Sequence, residues 1–195
     1  MNYPLSLVFK VVAIHPQISV TDAEGTLMFY VKQKAFKLKE AVTVYADREQ
    51  TLPVYTMKAD RVLDFRANYQ FTDAEGRDIG SVRGEGMRSI WTSRYTILDA
   101  EGAPDLEISE DNPWVKVIDS VVGEIPVISA ATGYLFHPSY SVTQPDGTAA
   151  LRLRKEPAFF ESRFTLEKLG PLGKEEEERA LLSLLMMLLL ERSRG

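Results

Sequence analysis

The sequence predicts a mainly β fold, a closed antiparallel β-barrel of about twelve strands enclosing a hydrophobic C-terminal α-helix. Three observations carry this reading. An acidic turn phrase recurs along the chain, each time after alternating apolar residues. Short strand-like runs separated by turn signals continue to about Thr165, with no amphipathic helix among them. Near the end stands "ALLSLLMMLLL", apolar on every face of a helix, which must therefore be covered on every side.

The turn phrase is "TDAEG" at residues 21–25 and again at 72–76. A shorter copy, "DAEG", fills 99–102, and "TQPDG" at 143–147 keeps the outline. Before each turn an apolar residue alternates with a second one: Ile18 and Val20, Tyr69 and Phe71, Tyr95 and Ile97, Tyr140 and Val142. Period-two alternation marks a half-buried strand. After each glycine another strand-like run begins, at 27–31, 79–82, 106–108 and 151–153. Aspartate can accept hydrogen bonds from amides further round a turn, and glycine tolerates the positive φ that closes it. A calcium loop needs about six oxygen ligands and a terminal bidentate glutamate. Each copy of "DAEG" offers two carboxylates, with only Asp78 or Asp105 following closely. The phrase therefore reads as hairpin punctuation, with no metal site.

In chain order, strands are expected near 6–14, 17–21, 27–34, 36–39, 41–46, 53–58, 61–65, 68–72, 78–83, 87–90, 93–98, 105–109, 114–119, 125–130, 139–143, 149–155 and 159–166. Some of these runs should merge. Closely spaced short strands with turn signals indicate a sandwich or barrel. "GPLG" at 170–173 breaks the pattern, and a helix is predicted over Lys174–Arg192. Glu175, Glu176, Glu177 and Glu178 suit its positive end, and Arg192 its negative end. The eleven positions 180–190, apolar except for Ser183, rise about 16 Å, roughly half a bilayer core. They form a helix enclosed by protein rather than a membrane span. The helix fills the lumen in which a carrier protein would hold its ligand.

The 195 residues suit one domain, spanning 1–195, with residues 174–192 as its central helix. A net charge of −5 argues against nucleic acid as a partner. Without cysteine there is no disulfide or thiol nucleophile. The first residues lack the pattern of a signal peptide, and a cytoplasmic location is expected.

The chain resembles the LURP-one-related proteins of the tubby C-terminal-like superfamily, whose barrel surrounds a C-terminal helix and is shared by the phospholipid scramblases. "FYVKQKAFKLKEAVTVYADREQTLPVY" (29–55) is similar to that family's opening strands, "YQFTDAEGRDIGSVR" (69–83) to its next hairpin, and "ERALLSLLMMLLLER" to its buried helix. The likeness covers roughly 27–192 and lies more in the order of the motifs than in any one of them; residues 1–25 are an extension outside it. It implies the barrel, and it defines no activity. The scramblase marks (a proline-rich N-terminal tail, an acylated cysteine cluster and a spanning helix) are missing, so lipid scrambling is not implied.

Candidate chemistry is sparse. His15 and His137 each precede proline, which favours extended geometry at strand ends. No nucleophile-elbow or zinc-protease phrase accompanies them. "GSVRGEG" at 80–86 has phosphate-loop glycines without the Lys-Ser/Thr pair, so it reads as a bent or bulged strand. Trp91 and Trp114 read as core or rim residues.

The notable polar stretch is "VKQKAFKLKE". Lys32 and Lys34 share one strand face, Lys37 and Lys39 share one, and the two pairs align only across a bulge or turn. Four ammonium groups on an otherwise acidic protein read first as the lysines of a guarded edge strand and, alternatively, as a candidate anion- or lipid-binding site. Arg152 and Arg154 make a weaker pair. The expected function is a non-enzymatic binding or interaction module without a cofactor, its partner an anionic lipid head group or a protein. The alternative is a hydrolase-type enzyme with a cleft at the barrel end.

Overall fold

A computed structural model describes residues 1–10, 17–32, 41–60, 67–84, 94–111, 139–158 and 161–192. Twelve strands among them form the barrel: β1 (Leu5–Lys10), β2 (Gln17–Thr21), β3 (Leu27–Lys32), β4 (Val42–Tyr45), β5 (Pro53–Ala59), β6 (Asn68–Asp73), β7 (Asp78–Gly84), β8 (Arg94–Leu98), β9 (Pro104–Glu110), β10 (Ser139–Thr143), β11 (Ala149–Glu156) and β12 (Glu161–Lys168). Each strand pairs with its neighbours in sequence, and β1 pairs antiparallel with β12 to close the ring. The predicted runs near 36–39, 61–65, 87–90, 114–119 and 125–130 lie outside the described residues. Residues 1–25, outside the family likeness, supply β1 and β2 and thus the closing strand.

Alternation sets the two faces. Leu5, Leu7 and Phe9 of β1 point into the core while Lys10 is exposed. Tyr69 and Phe71 of β6, Ile97 of β8 and Ile108 of β9 do likewise on the far wall. With an even number of antiparallel strands, every second connection lies at the same rim. The joins β2–β3, β4–β5, β6–β7, β8–β9 and β10–β11 therefore share one end with the link from β12 to the helix. We call this end the turn rim, and the opposite one the far rim.

The repeated phrase is hairpin geometry. The Asp73 amide donates to Arg77 O at 3.0 Å, and the Gly76 amide donates to Asp73 O at 3.1 Å. The same two bonds recur in the turns that begin at Asp22, Asp99 and Gln144. The four closing glycines have φ between 81° and 85°, as in a three-residue hairpin with a glycine bulge. Asp73 Oδ1 accepts from the Glu75 and Arg77 amides at 3.1 and 2.8 Å, and Asp22 Oδ1 from the Glu24 and Thr26 amides at 3.0 and 2.9 Å. These carboxylates close turns. A fifth turn that the repeat does not reveal uses Asp47, which accepts from the Thr51 and Leu52 amides, with Gln50 at φ 63°.

Each hairpin carries a second irregularity just beyond the turn. The ladder skips one residue on the returning strand: Met28, Val54, Ile79, Asp105 and Ala150. In the four glycine-closed turns this residue lies three after the glycine, and the residue four after it returns to the inward register. That inward residue is Phe29, Leu106 or Leu151 in three hairpins and Gly80 in the fourth.

Helix α1 (Lys174–Arg192) enters from the turn rim. Glu176 returns a carboxylate to the Gly173 amide at 2.5 Å, a capping contact that satisfies one orphan donor. Residues 180–190 are all buried, whichever face they occupy. Only a surrounding wall achieves this, so the helix is the barrel's core. Among the described residues no helix is long and apolar enough to cross a membrane.

Candidate functional site

The enclosed helix meets the barrel through polar contacts at both rims. At the turn rim, Arg179 projects into the wall on the first apolar turn, 7% exposed. Its Nη2 and Nε donate to Asp105 Oδ2 at 2.6 and 3.0 Å, and Nη1 reaches Ile79 O at 3.4 Å. Two departures from the hairpin pattern make the room. Asp105 occupies the bulge position that is apolar in the other hairpins. Gly80 occupies the inward position that holds a large side chain in the other glycine-closed hairpins. A Cβ on Gly80 would lie 2.5 Å from Arg179 Cδ and 2.4 Å from Leu98 O. Thus "GSVRGEG" begins directly after the bulged residue Ile79, with Gly80 vacating space for the Cγ and Cδ of Arg179. Nearby, Lys168 pairs with Glu177. Burial first, and then the Glu178 charge, push the Tyr55 phenol above its ordinary value. These contacts fix the helix and leave little for a ligand.

At the far rim, the last turn of α1 meets inward-facing residues of β8 to β10. The Tyr140 hydroxyl donates to Glu191 Oε2 at 2.7 Å. Glu110 is the register partner of Tyr140, so both side chains lie on the lumenal face. Burial, and secondarily the Glu191 carboxylate, raise the Glu110 carboxyl above the usual range. Burial, then the Glu191 charge and hydrogen bond, raise the Tyr140 phenol, which stays protonated and donates. Arg192 stacks on Phe9, its guanidinium 4.5 Å from the ring centroid.

The outer face near the same rim carries the basic residues. Lys32, the first of the four predicted lysines, is exposed at the end of β3; Lys34, Lys37 and Lys39 lie outside the described residues. Lys32 pairs in register with Gln17, which pairs with Lys10. Cross-strand partners share a face, so two exposed lysines flank Gln17 across three adjacent strands, about 10 Å apart at 4.8 Å per strand. Sequence reasoning missed Lys10, because only the hairpin register brings residue 10 beside residue 32. The arginine pair is partly neutralised: Arg154 meets Glu167 at 2.5 Å, and Arg152 lies 3.8 Å from Asp111, which also accepts from Ser139 and Ser141. His15, His137, Trp91 and Trp114 lie outside the described residues. Among the described residues no group of three or more His, Asp or Glu side chains is placed to hold a metal ion.

Charge is segregated along the barrel axis. Residues 22–26, 46–52, 73–78, 99–105, 144–148 and 168–179, which build the turn rim, carry fifteen carboxylates and five basic side chains. The other described residues carry ten basic side chains against eight acidic ones. A net −10 at the turn rim therefore contrasts with +2 over the other described residues.

No protein-family model, curated protein or solved structure matches the chain.

Proposed function

We propose that the chain is a non-enzymatic, cytoplasmic binding module of the tubby C-terminal-like type that docks on anionic lipid head groups through the outer face of β1 to β3. The observation that carries this reading is the Lys10–Gln17–Lys32 row, set at the end of the barrel opposite its acidic rim. The helix already occupies the lumen, which favours recognition on the outer surface over a carrier function. An anionic surface would attract the basic side and repel the turn rim, so the charge segregation also favours one orientation. Lys34, Lys37 and Lys39 of the four-lysine stretch lie outside the described residues. The family resemblance agrees with the barrel and central helix and adds no activity.

The test is co-sedimentation with phosphatidylcholine vesicles, with and without phosphatidylserine, at low and moderate salt. Binding should require the anionic lipid and weaken with salt, since exposed charges are screened over about 8 Å at physiological ionic strength. Each lysine near an anionic surface contributes about 1 kcal/mol, so Lys10→Glu with Lys32→Glu should weaken binding by about 30-fold or more. The melting temperature should hardly move, because such surface changes cost under about 0.5 kcal/mol. No binding by the wild type at low salt would turn the search to protein partners.

The alternative, a hydrolase acting at the barrel end, draws on the far-rim carboxylates, where a raised Glu110 beside Glu191 is the asymmetry expected of an acid–base pair. A hydrolytic activity found by substrate screening and abolished by Glu110→Gln would favour it.

A further inference from the structure

The geometry points to Arg163 of β12 as a positioning residue of the docking face, a role that rests on the lipid-docking function proposed above. Arg163 holds the carboxylate of Glu161 and so keeps the Lys10 ammonium available to an anionic head group.

The polar row continues past Lys10. β1 closes the barrel against β12, and there the register partner of Lys10 is Glu161. Cross-strand partners share a face, with Cβ atoms about 4.5–5.5 Å apart. The outer wall thus sets Glu161, Lys10, Gln17 and Lys32 side by side across four strands. Strands β1 to β4 carry no acidic side chain. Among the described strand residues, Glu161 is therefore the one carboxylate that register places beside the row. It is the nearest competitor of an anionic ligand for Lys10.

Glu161 is engaged elsewhere. Arg163 Nη2 donates to Glu161 Oε1 at 2.6 Å. Arg163 lies two residues along β12 on the same face, between Val8 of β1 and Glu156 of β11. Lys10 is exposed and makes no ion pair among the described residues. The preference has a physical basis. A guanidinium presents a planar fork of donors that matches a carboxylate, and it is more weakly hydrated than an ammonium, so Arg163 outcompetes Lys10 for their shared neighbour.

The same division runs round the outer wall. Arg94 pairs with Glu107, Arg154 with Glu167 and Arg163 with Glu161, and Arg152 lies 3.8 Å from Asp111. On β8, β11 and β12, arginines neutralise carboxylates, while on β1 and β3 the lysines are left to face solvent. Removing Arg163 would leave Glu161 with Lys10 as the cation directly opposite. That cross-strand pair would compete with the lipid for the ammonium by up to about fivefold.

Amine acylation of the lipid-free protein, read at each lysine by mass spectrometry, tests the positioning by itself. Relative to the exposed Lys58 in the same sample, Lys10 should react up to about fivefold more slowly in Arg163→Gln than in the wild type. Adding Glu161→Gln should restore its rate. Co-sedimentation with phosphatidylcholine–phosphatidylserine vesicles at low salt then tests the consequence. Lys10→Gln should weaken binding about fivefold in the wild type, clearly less in Arg163→Gln, and about fivefold again in Arg163→Gln/Glu161→Gln. Charge counting alone predicts one factor in all three backgrounds. Melting temperatures should hardly move, since the substitutions are on the surface. An unchanged Lys10 rate in Arg163→Gln, or the same Lys10→Gln factor in every background, overturns the role of Arg163 and leaves lipid docking standing. No vesicle binding by the wild type overturns both.

Discussion

Gly80→Ala tests how the helix is seated, because one methyl group meets two separable obstacles. Gly80 has φ 121°, which L-residues rarely adopt, and its new Cβ would lie 2.4 Å from Leu98 O and 2.5 Å from Arg179 Cδ. The backbone strain costs about 1–3 kcal/mol. Forcing a methyl into a filled site costs about another 1–3 kcal/mol. The expected total, about 2–6 kcal/mol, is a large part of a domain's usual stability of about 5–15 kcal/mol. Gly76 is the control: its φ is 81°, but its Cβ would meet nothing within 4 Å, so Gly76→Ala should cost only about 1–2 kcal/mol. Urea unfolding followed by circular dichroism measures both, and the Gly80 variant should have the clearly lower midpoint. Arg179→Ala removes one of the two clashes, so the Gly80 substitution should cost less in that background, with a coupling of about 0.5–3 kcal/mol. Equal losses at Gly76 and Gly80, or strict additivity of Gly80→Ala with Arg179→Ala, would refute the idea that Gly80 makes room for the Arg179 side chain.

Ending the chain at Gly173 should abolish cooperative unfolding, since nine buried Leu and Met side chains of α1 are lost, each contributing at least about 1.5 kcal/mol; a truncated barrel with a normal midpoint would contradict the central-helix architecture. Leu185→Asp should have nearly the same effect by placing an unpaired charge in the core, as seen by calorimetry. Added calcium should leave the melting temperature unchanged, and a calcium-dependent rise that disappears in Asp73→Asn/Glu75→Gln would show that the turns bind metal. The Thr51 side chain donating to Asp47 and the Thr148 amide donating to Asp146 hold both carboxyls below their ordinary value. For a depressed pKa the stabilisation is present above the unfolded value and lost as pH falls through the folded one, so the urea midpoint should drop below about pH 4 and drop less in Asp47→Asn/Asp146→Asn.

Much of the fold was legible because its signals are local and repeated. Asp73 and Gly76 close their turn with bonds that span four residues, and the same grammar fixes three other hairpins. The helix was legible for the opposite reason: a segment apolar on every face admits few environments, and a closed wall is one of them. The turn at Asp47, between the runs expected at 41–46 and 53–58, stands outside the repeat because Gln50 takes the left-handed position that glycine fills elsewhere. The bulges, too, left a trace in the sequence. Once three residues after the turn glycine is known to be the skipped position, Met28, Ile79 and Ala150 fit the rule and Asp105 stands out as its polar exception.

The candidate sites were less legible because their residues are distant in sequence and are gathered only by register and by the threading of α1. Arg179 finds Asp105 across 74 residues, and Tyr140 finds Glu191 across 51. Lys10 and Lys32 become neighbours only through a third strand, and a slip of one residue on β2 would turn Gln17 inward and separate them. The same dependence distinguishes the two rims. At the turn rim a buried guanidinium has its carboxylate and its vacated volume, a combination that holds one arrangement because breaking a buried pair costs about 3–5 kcal/mol. At the far rim the Tyr140 hydroxyl donates to Glu191, and burial raises the carboxyl of Glu110, which stands opposite Tyr140 in the ladder. The turn rim therefore anchors the helix through the Arg179–Asp105 pair.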